Sequence, residues 1–286
     1  DPETFNMSTD ILREKLKNVL KNNKKLPKVI IPVHIAGQSC QMKEIREIVQ
    51  PYGIKIIEDA SHAIGGEYES EKIGCCKYSD ITVFSFHPVK IITSAEGGAA
   101  VTQNKLLANR MRAFRTHGIT RDKSEFENKD NGDWYYEQKS IGYNYRLNDI
   151  QATLGISQIN RIDKFVSERN DIAEKYNKYL ANLPLSTPII RDNCSSSFHL
   201  YIINLNLNEI KKNKKDIFEY LRTSNIGVNI HYIPIHYHPF YAKLGFKRGD
   251  FPNAERYYND ALSIPVYPGL TDENMLYVTD KLKLCI

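Results

Sequence analysis

Residues 81–98 read ITVFSFHPVKIITSAEGG. The first six, Ile81 to Phe86, are β-branched, aromatic or small over the length of a short buried strand, and His87-Pro88 stops the run. Lys90 follows at once, and Glu96-Gly97-Gly98 lead into a further short strand, Ala99 to Thr102. Upstream, Ile54 to Ile57 forms another apolar run, closed by Glu58-Asp59-Ala60-Ser61-His62, and Val29 to Val33 is a third. Helical spacing fills the gaps. Ser8 or Thr9 can cap a helix carrying Ile11, Leu12, Leu16, Val19 and Leu20. Residues 41–50 place Met42, Ile45, Ile48 and Val49 on one face. Residues 104–115 are a helix with Leu106, Leu107, Met111 and Phe114 inward. Strand and helix thus alternate through residue 118, the pattern of an α/β sheet with covered faces.

In such sheets ligands collect outside the strand ends. Asp59 and Lys90 both fall at strand ends. A lysine and an aspartate so placed are what pyridoxal phosphate chemistry requires. The amine condenses with the cofactor aldehyde, and the carboxylate holds the pyridine nitrogen protonated, which makes the ring an electron sink.

Beyond residue 118 the pattern changes. Residues 120–139 are polar and read as an exposed loop. A long helical pattern runs from Asn148 to about Leu183, where Pro184 and Pro188 end it. Then come a strand over 198–205, a helix over 214–224, a strand over 228–233 and a loop over 234–239 holding His236 and His238. A helix over 253–262 follows, and residues 271–284 close the chain. The expected organisation is a large domain over residues 1–183 and a smaller α+β domain over 184–286.

Composition limits the alternatives. With 286 residues, 41% of them apolar, the chain is long enough for a large core and a smaller unit. The formal charge of +5 is spread along the chain, and no nucleic-acid-binding string or finger spacing occurs. The Lys-rich stretches at 21–28 and 211–215 read as solvated helix ends or turns that could favour an anionic ligand. Five cysteines without metal-ligand spacing suit a reducing compartment. With no signal peptide and no spanning apolar stretch, a cytoplasmic protein is expected. His236 and His238 lie two apart with no third ligand at a known spacing, so no metal is expected.

The strings PVHIAGQSCQM, IIEDASHAIGGEY, FSFHPVKIITSAEGGAAVT, GYNYRLNDIQA and ALSIPVYPGLTDE occur in this order from residue 32 to residue 273. Together they resemble the DegT-type sugar-nucleotide aminotransferases, a branch of the fold-type I pyridoxal phosphate enzymes. The resemblance implies an α/β fold: a large domain with a mostly parallel sheet, partial at its N-terminus, plus the smaller α+β domain. It implies pyridoxal 5'-phosphate as cofactor, with Lys90 as the Schiff-base lysine that also shuttles the substrate proton. Asp59 becomes the partner of the pyridine nitrogen, and His62 a contact of the cofactor ring or its phenolic oxygen. Ser85 becomes a phosphate ligand. Asn144, with Arg146 a weaker candidate, reaches the phosphate or a neighbouring site across a homodimer interface. His236, Tyr237 and His238 form a substrate-facing segment. Tyr143, Tyr145 and Trp134 are open to two readings, base stacking or packing.

The implied reaction passes an amino group from an amino acid such as glutamate to a nucleotide-linked 4-keto-6-deoxy sugar, UDP-linked by the character of HPVKIITSAEGG. The pseudaminic acid pathway enzyme acting at C4 is the nearest resemblance, and a lipid A aminoarabinose-type enzyme the runner-up. Family members also carry a segment before the position of Asp1, with a Gly-Thr/Ser-Ala helix start that cradles the phosphate. Its lack of a counterpart makes a fragment or truncated product the expectation, with weak cofactor binding and an exposed edge or core face. The rival expectation is a non-catalytic member acting as a binding or regulatory partner.

Overall fold

The computed structural model describes residues 1–129 and 132–286, so Asp130 and Asn131, inside the segment read as a loop, lie outside the described residues. Its first half is built on a four-stranded sheet of Val29–Ile30, Lys55–Asp59, Ile81–Ser85 and Gly98–Val101, in that spatial order. The first two pairings are parallel, with Val29 opposite Lys55 and Asp59 opposite Val83; the last is antiparallel, with Ser85 opposite Gly98. Gly98 is required by close approach: a Cβ there would sit 2.6 Å from the Phe84 carbonyl oxygen.

Side chains alternate across this sheet. Ile56 and Glu58 are buried on one face, where helices Thr9–Lys21 and Met42–Val49 contribute Leu16, Ile45 and Val49 to a common core. Ser8 caps the first helix by accepting the Ile11 N–H. Ile57 and Asp59 point the opposite way and are only half-buried, and Val83 and Ser85 on the adjacent strand follow the same alternation. The sheet therefore hides Glu58 and presents Asp59.

The second half has its own core. Tyr201–Leu205 pairs antiparallel with Ala261–Ile264 on one side and Leu185–Ser186 on the other. Helices Ile162–Leu180, Lys214–Thr223 and Asp272–Cys285 supply Tyr176, Ile217, Leu221, Met275 and Leu282 against that sheet. Each fully buried Leu or Ile contributes about 1.5–3 kcal/mol relative to an exposed one. A ribbon of Glu67–Tyr68 and Glu71–Lys72 pairs with Cys194–Ser195 and ties the two halves together.

The structure corrects several sequence expectations. The strand expected over 29–33 ends at Ile30, because Pro32 has no N–H to give; pairing resumes only as a bridge between Val33 and Asp59. The long helix from Asn148 is two helices, Asp149–Ile159 and Ile162–Leu180, with Arg161 as the non-helical cap between them. The 120–139 segment carries a short pairing of Ile119–Thr120 with Glu137–Gln138, pinned where the Glu137 carboxylate accepts from the backbone N–H groups of Glu127 and Asn128. The strand expected over 228–233 keeps one bridge, Asn229 to Ser263, and the expected helix over 253–262 stops at Asp260, where Ala261–Ile264 becomes a strand beside Tyr201–Leu205, the middle strand of the second sheet. The loop over 234–239 contains a 3₁₀ turn, Ile235–Tyr237, and the start of a one-turn helix, Pro239–Ala242. Finally, the helix Lys105–Arg115 buries none of its residues, and Leu106 is 75% exposed. Of the face that its apolar spacing marks, Leu107 and Met111 are half-buried, while Leu106 and Phe114 are exposed.

Candidate active site

Asp59 is held on both flanks. Its N–H donates to the Pro32 carbonyl at 2.9 Å, its carbonyl accepts from the His34 N–H at 3.0 Å, and the next residue's N–H reaches the Val83 carbonyl at 2.9 Å. Its carboxylate accepts one hydrogen bond, from the Ser61 N–H to Oδ1 at 3.0 Å. Oδ2 has no hydrogen-bond partner among the described residues. Lys90 sits in the turn after Ile81–Ser85, closed by its own N–H to the His87 carbonyl at 2.9 Å. Burial lowers the Lys90 amine below the usual lysine range, and the Asp59 carboxylate partly opposes that shift. The two side chains thus feel one another, yet no ion pair locks them together among the described residues.

Above this pair lies a group of neutral polar rings. His62 is 6% exposed, and burial, then the Lys90 charge and His231, push it down to about 3 against the opposing pull of Asp59. Its Nδ1 accepts the Ala36 N–H at 3.4 Å, which places its single proton on Nε2, 3.1 Å from the Tyr232 hydroxyl. The His199 ring lies 4.4 Å from the His62 ring, and burial, followed by its neighbours His62 and Lys90, brings it to about 2. His199 Nδ1 is buried without a hydrogen-bond partner among the described residues. His231 shares Nδ1 with the Ser263 hydroxyl at 2.8 Å and is lowered by burial and by Lys90. Burial raises Tyr232, and Asp59 adds to that rise. One amine, one carboxylate and three uncharged imidazoles therefore meet, with a phenol at the rim.

The sequence-expected residues divide. Asp59, His62 and Lys90 are brought together. Ser85 ends its strand beside them, its Oγ accepting the His87 N–H at 3.4 Å. Asn144 lies on a separate ribbon, bridged to Thr116, and Arg146 meets His117 Nε2 at 3.1 Å. His236 and Tyr237 are both turned onto Glu255, at 2.9 Å each, and the Arg248 guanidinium lies 3.9 Å over the Tyr237 ring. His238 gives its carbonyl to the short helix that follows. Tyr143 and Tyr145 stack on each other at 4.7 Å, while Trp134 is 75% exposed. His199, His231 and Tyr232 were not anticipated. Their signal was a histidine inside each of two apolar runs, SSSFHLYII and VNIHYIP, where a buried imidazole needs a polar reason.

The residues fit a pyridoxal-type cofactor. A free carboxylate oxygen suits a protonated ring nitrogen, an amine with lowered proton affinity suits an aldehyde, and the orphaned His199 Nδ1 leaves a polar position open on the same site.

Comparison with known proteins supports this chemistry. The model of the DegT/DnrJ/EryC1/StrS aminotransferase family matches residues 1–283. An uncharacterized protein of Methanocaldococcus jannaschii, MJ1066, is 41% identical over 285 residues, covering 99% of this chain and 71% of its own length. A UDP-4-amino-4,6-dideoxy-N-acetyl-beta-L-altrosamine transaminase of Campylobacter jejuni is 39% identical over 251 residues, covering 87% of this chain and 63% of its own length. The solved structure of Helicobacter pylori PseC, an aminotransferase involved in pseudoaminic acid biosynthesis, superposes with a TM-score of 0.84 at 30% identity, over 98% of this chain and 70% of that one. The chain thus spans only part of the length of these relatives.

Proposed function

We propose a nucleotide-sugar aminotransferase, because the chain belongs to the DegT/DnrJ/EryC1/StrS aminotransferase family. Its architecture is that of the fold-type I transferases, whose cofactor is pyridoxal 5'-phosphate. When bound, that cofactor supplies the electron sink through which an amino group is taken up and returned.

The chain's own residues set the conditions. Lys90 Nζ, its proton affinity lowered by burial, releases a proton more readily than a surface lysine. Asp59 keeps one carboxylate oxygen without a hydrogen-bond partner among the described residues, at the C-terminal end of its strand. His62, uncharged and fixed in one tautomer, offers a flat ring without adding positive charge beside Lys90. Tyr232 places a hydroxyl where a substrate oxygen can be bound. Ser85, at the end of the neighbouring strand, is read as a phosphate ligand. The placement of Asp59 at the end of its strand and Lys90 in the turn after the neighbouring parallel strand carries the reading, and it disfavours the non-catalytic alternative.

The finer reading follows the sequence and the relatives' names. The acceptor is a UDP-linked 4-keto-6-deoxy sugar, the donor an amino acid such as glutamate, and the product feeds amino-sugar assembly of the pseudaminic acid kind. We read residues 1–183 as the cofactor-binding domain and 184–286 as the smaller domain, with the helix Ile162–Leu180 of the first packed into the core of the second, in a cytoplasmic homodimer. Ile141, Tyr143, Tyr145, Ile150 and Ile156 are exposed around Asn144, which supports a partner surface beside that residue. No helix among the described residues is long and apolar enough to cross a membrane. His236, Tyr237 and His238 stay proposed as a substrate-facing segment, with Glu255 bracing the first two.

The test is turnover of a panel of UDP- and GDP-linked 4-keto sugars with glutamate and pyridoxal phosphate, with Lys90→Ala in parallel. Amination of a UDP-linked 4-keto sugar by the parent alone supports the reading. Near-parental turnover by Lys90→Ala refutes the lysine's role, and activity on none of the sugars refutes the substrate.

A further inference from the structure

Directly behind Asp59, on the hidden face of the same strand, lies a buried polar knot that the transamination reading does not use. Glu58 is 5% exposed and His34 is fully buried. His34 Nε2 meets Glu58 Oε2 at 2.7 Å, Thr82 Oγ1 donates to Glu58 Oε1 at 2.8 Å, and the Ser79 hydroxyl donates to the same oxygen. Burial by itself would raise the Glu58 carboxyl, but the donors His34, Ser79 and Thr82 outweigh it and hold the group below its ordinary value. The Cys40 N–H donates to His34 Nδ1 at 3.1 Å, which needs a lone pair there, so the ring's proton sits on Nε2 and points at Glu58.

The knot joins two chain segments, and each carries a contact of the cofactor pocket. On the strand side, Glu58 precedes Asp59, whose backbone carbonyl accepts from the His34 N–H. On the loop side, His34 begins the 34–40 turn, whose Ala36 N–H fixes the tautomer of His62. Ala36 holds a left-handed φ of 59°, and the His34-to-Cys40 link closes the turn around it.

We propose that the buried His34–Glu58 pair is a positioning device for the cofactor pocket, a strut that sets Asp59 and His62 in register with each other. His34 and Glu58 touch neither the reacting atoms nor Lys90; they act through the backbone of Asp59 and Ala36. The functional half of this inference rests on the cofactor reading above.

Two replacements of His34 separate the strut from simple packing. Glutamine places an amide near the Nε2 position and can still donate to Glu58. Asparagine places its polar end near Nδ1 and can answer only Cys40. Amide hydrogen exchange of the chain without added cofactor, and titration with pyridoxal phosphate followed by absorbance, are measured for each. In His34→Asn the amides of Ala36 and Ser61 exchange about tenfold faster and the apparent Kd rises about tenfold, while Ile203 and Leu221 in the second core are unmoved. His34→Gln stays within about threefold of the parent in both readouts. Glu58→Gln, which weakens the shared acceptor at constant size, carries the same expectation as His34→Asn and stands in for it should that variant not fold. Unchanged exchange at Ala36 and Ser61, equal acceleration at Ile203 and Leu221, or no difference between the two His34 variants overturns the proposal. A parental chain that binds no pyridoxal phosphate instead overturns the cofactor reading, and the exchange comparison then decides the strut alone.

Discussion

Acidification from pH 7 to pH 5 should cost the folded chain stability through His62 in particular, and the amount follows from where that ring sits. His62 is buried, titrates near 3 when folded, and has an ordinary value of 6.5 once the chain unfolds. A depressed folded value means that the unfolded chain binds the extra proton first. The stabilisation is complete above pH 6.5 and drains away as pH falls toward 3. At pH 5 the folded ring is still neutral, so the penalty is set by the unfolded value: about 2.1 kcal/mol at pH 5 against about 0.2 at pH 7, a loss of about 1.9 kcal/mol. The control is His62→Gln, whose amide can still face the Tyr232 hydroxyl and whose carbonyl can still accept the Ala36 N–H. Urea unfolding of both proteins at both pH values gives four stabilities, and the titrating groups that His62 does not touch cancel in the double difference. The parent should lose about 1.9 kcal/mol more than the variant, equivalent to about 3 °C of extra fall in Tm. Equal losses to within about 0.5 kcal/mol would show that His62 is solvated or already charged, and the picture of an uncharged ring packed beside Lys90 would be wrong.

Two further outcomes probe separate parts of the molecule. Tyr232→Phe leaves the His62 Nε2–H without its acceptor and should cost about 1 kcal/mol in urea unfolding, with a shift in the His62 ring nitrogen resonances; no change in either would place the Tyr232 hydroxyl off that ring. Ile217→Ala, at a fully buried position of the second core, should cost about 2–5 kcal/mol in the same assay, while a cost under about 1 kcal/mol would mean that this core is loosely packed.

The sheet was legible in the sequence because its strands are short apolar runs ended by polar or Gly-Pro punctuation, and Asp59 and Lys90 were legible because they stand at those ends. Where local pattern and tertiary demand part, the reading failed. Residues 228–233 have the composition of a strand, yet the backbone leaves the ladder after Asn229 to bring His231 and Tyr232 to the pocket. Residues 261–264 continue a helical spacing, yet they are the strand partner that Tyr201–Leu205 needs on its open side. The helix after Asn104 shows the reverse case: its period is correct, but an apolar period says nothing about what, if anything, lies against it. The pairing of His34 with Glu58 was invisible for a simpler reason. Twenty-four residues separate them, and only the parallel register brings the two side chains to one buried point.

The account stands on Lys90 being the residue that carries the cofactor beside Asp59. The direct measurement is to mix the chain with pyridoxal phosphate, fix the adduct with borohydride, digest, and locate the pyridoxyl group by mass spectrometry. A single modified peptide containing Lys90, lost in Lys90→Ala and weakened in Asp59→Asn, is the predicted result. A label scattered over the surface lysines, or one that persists undiminished in Lys90→Ala, would contradict it.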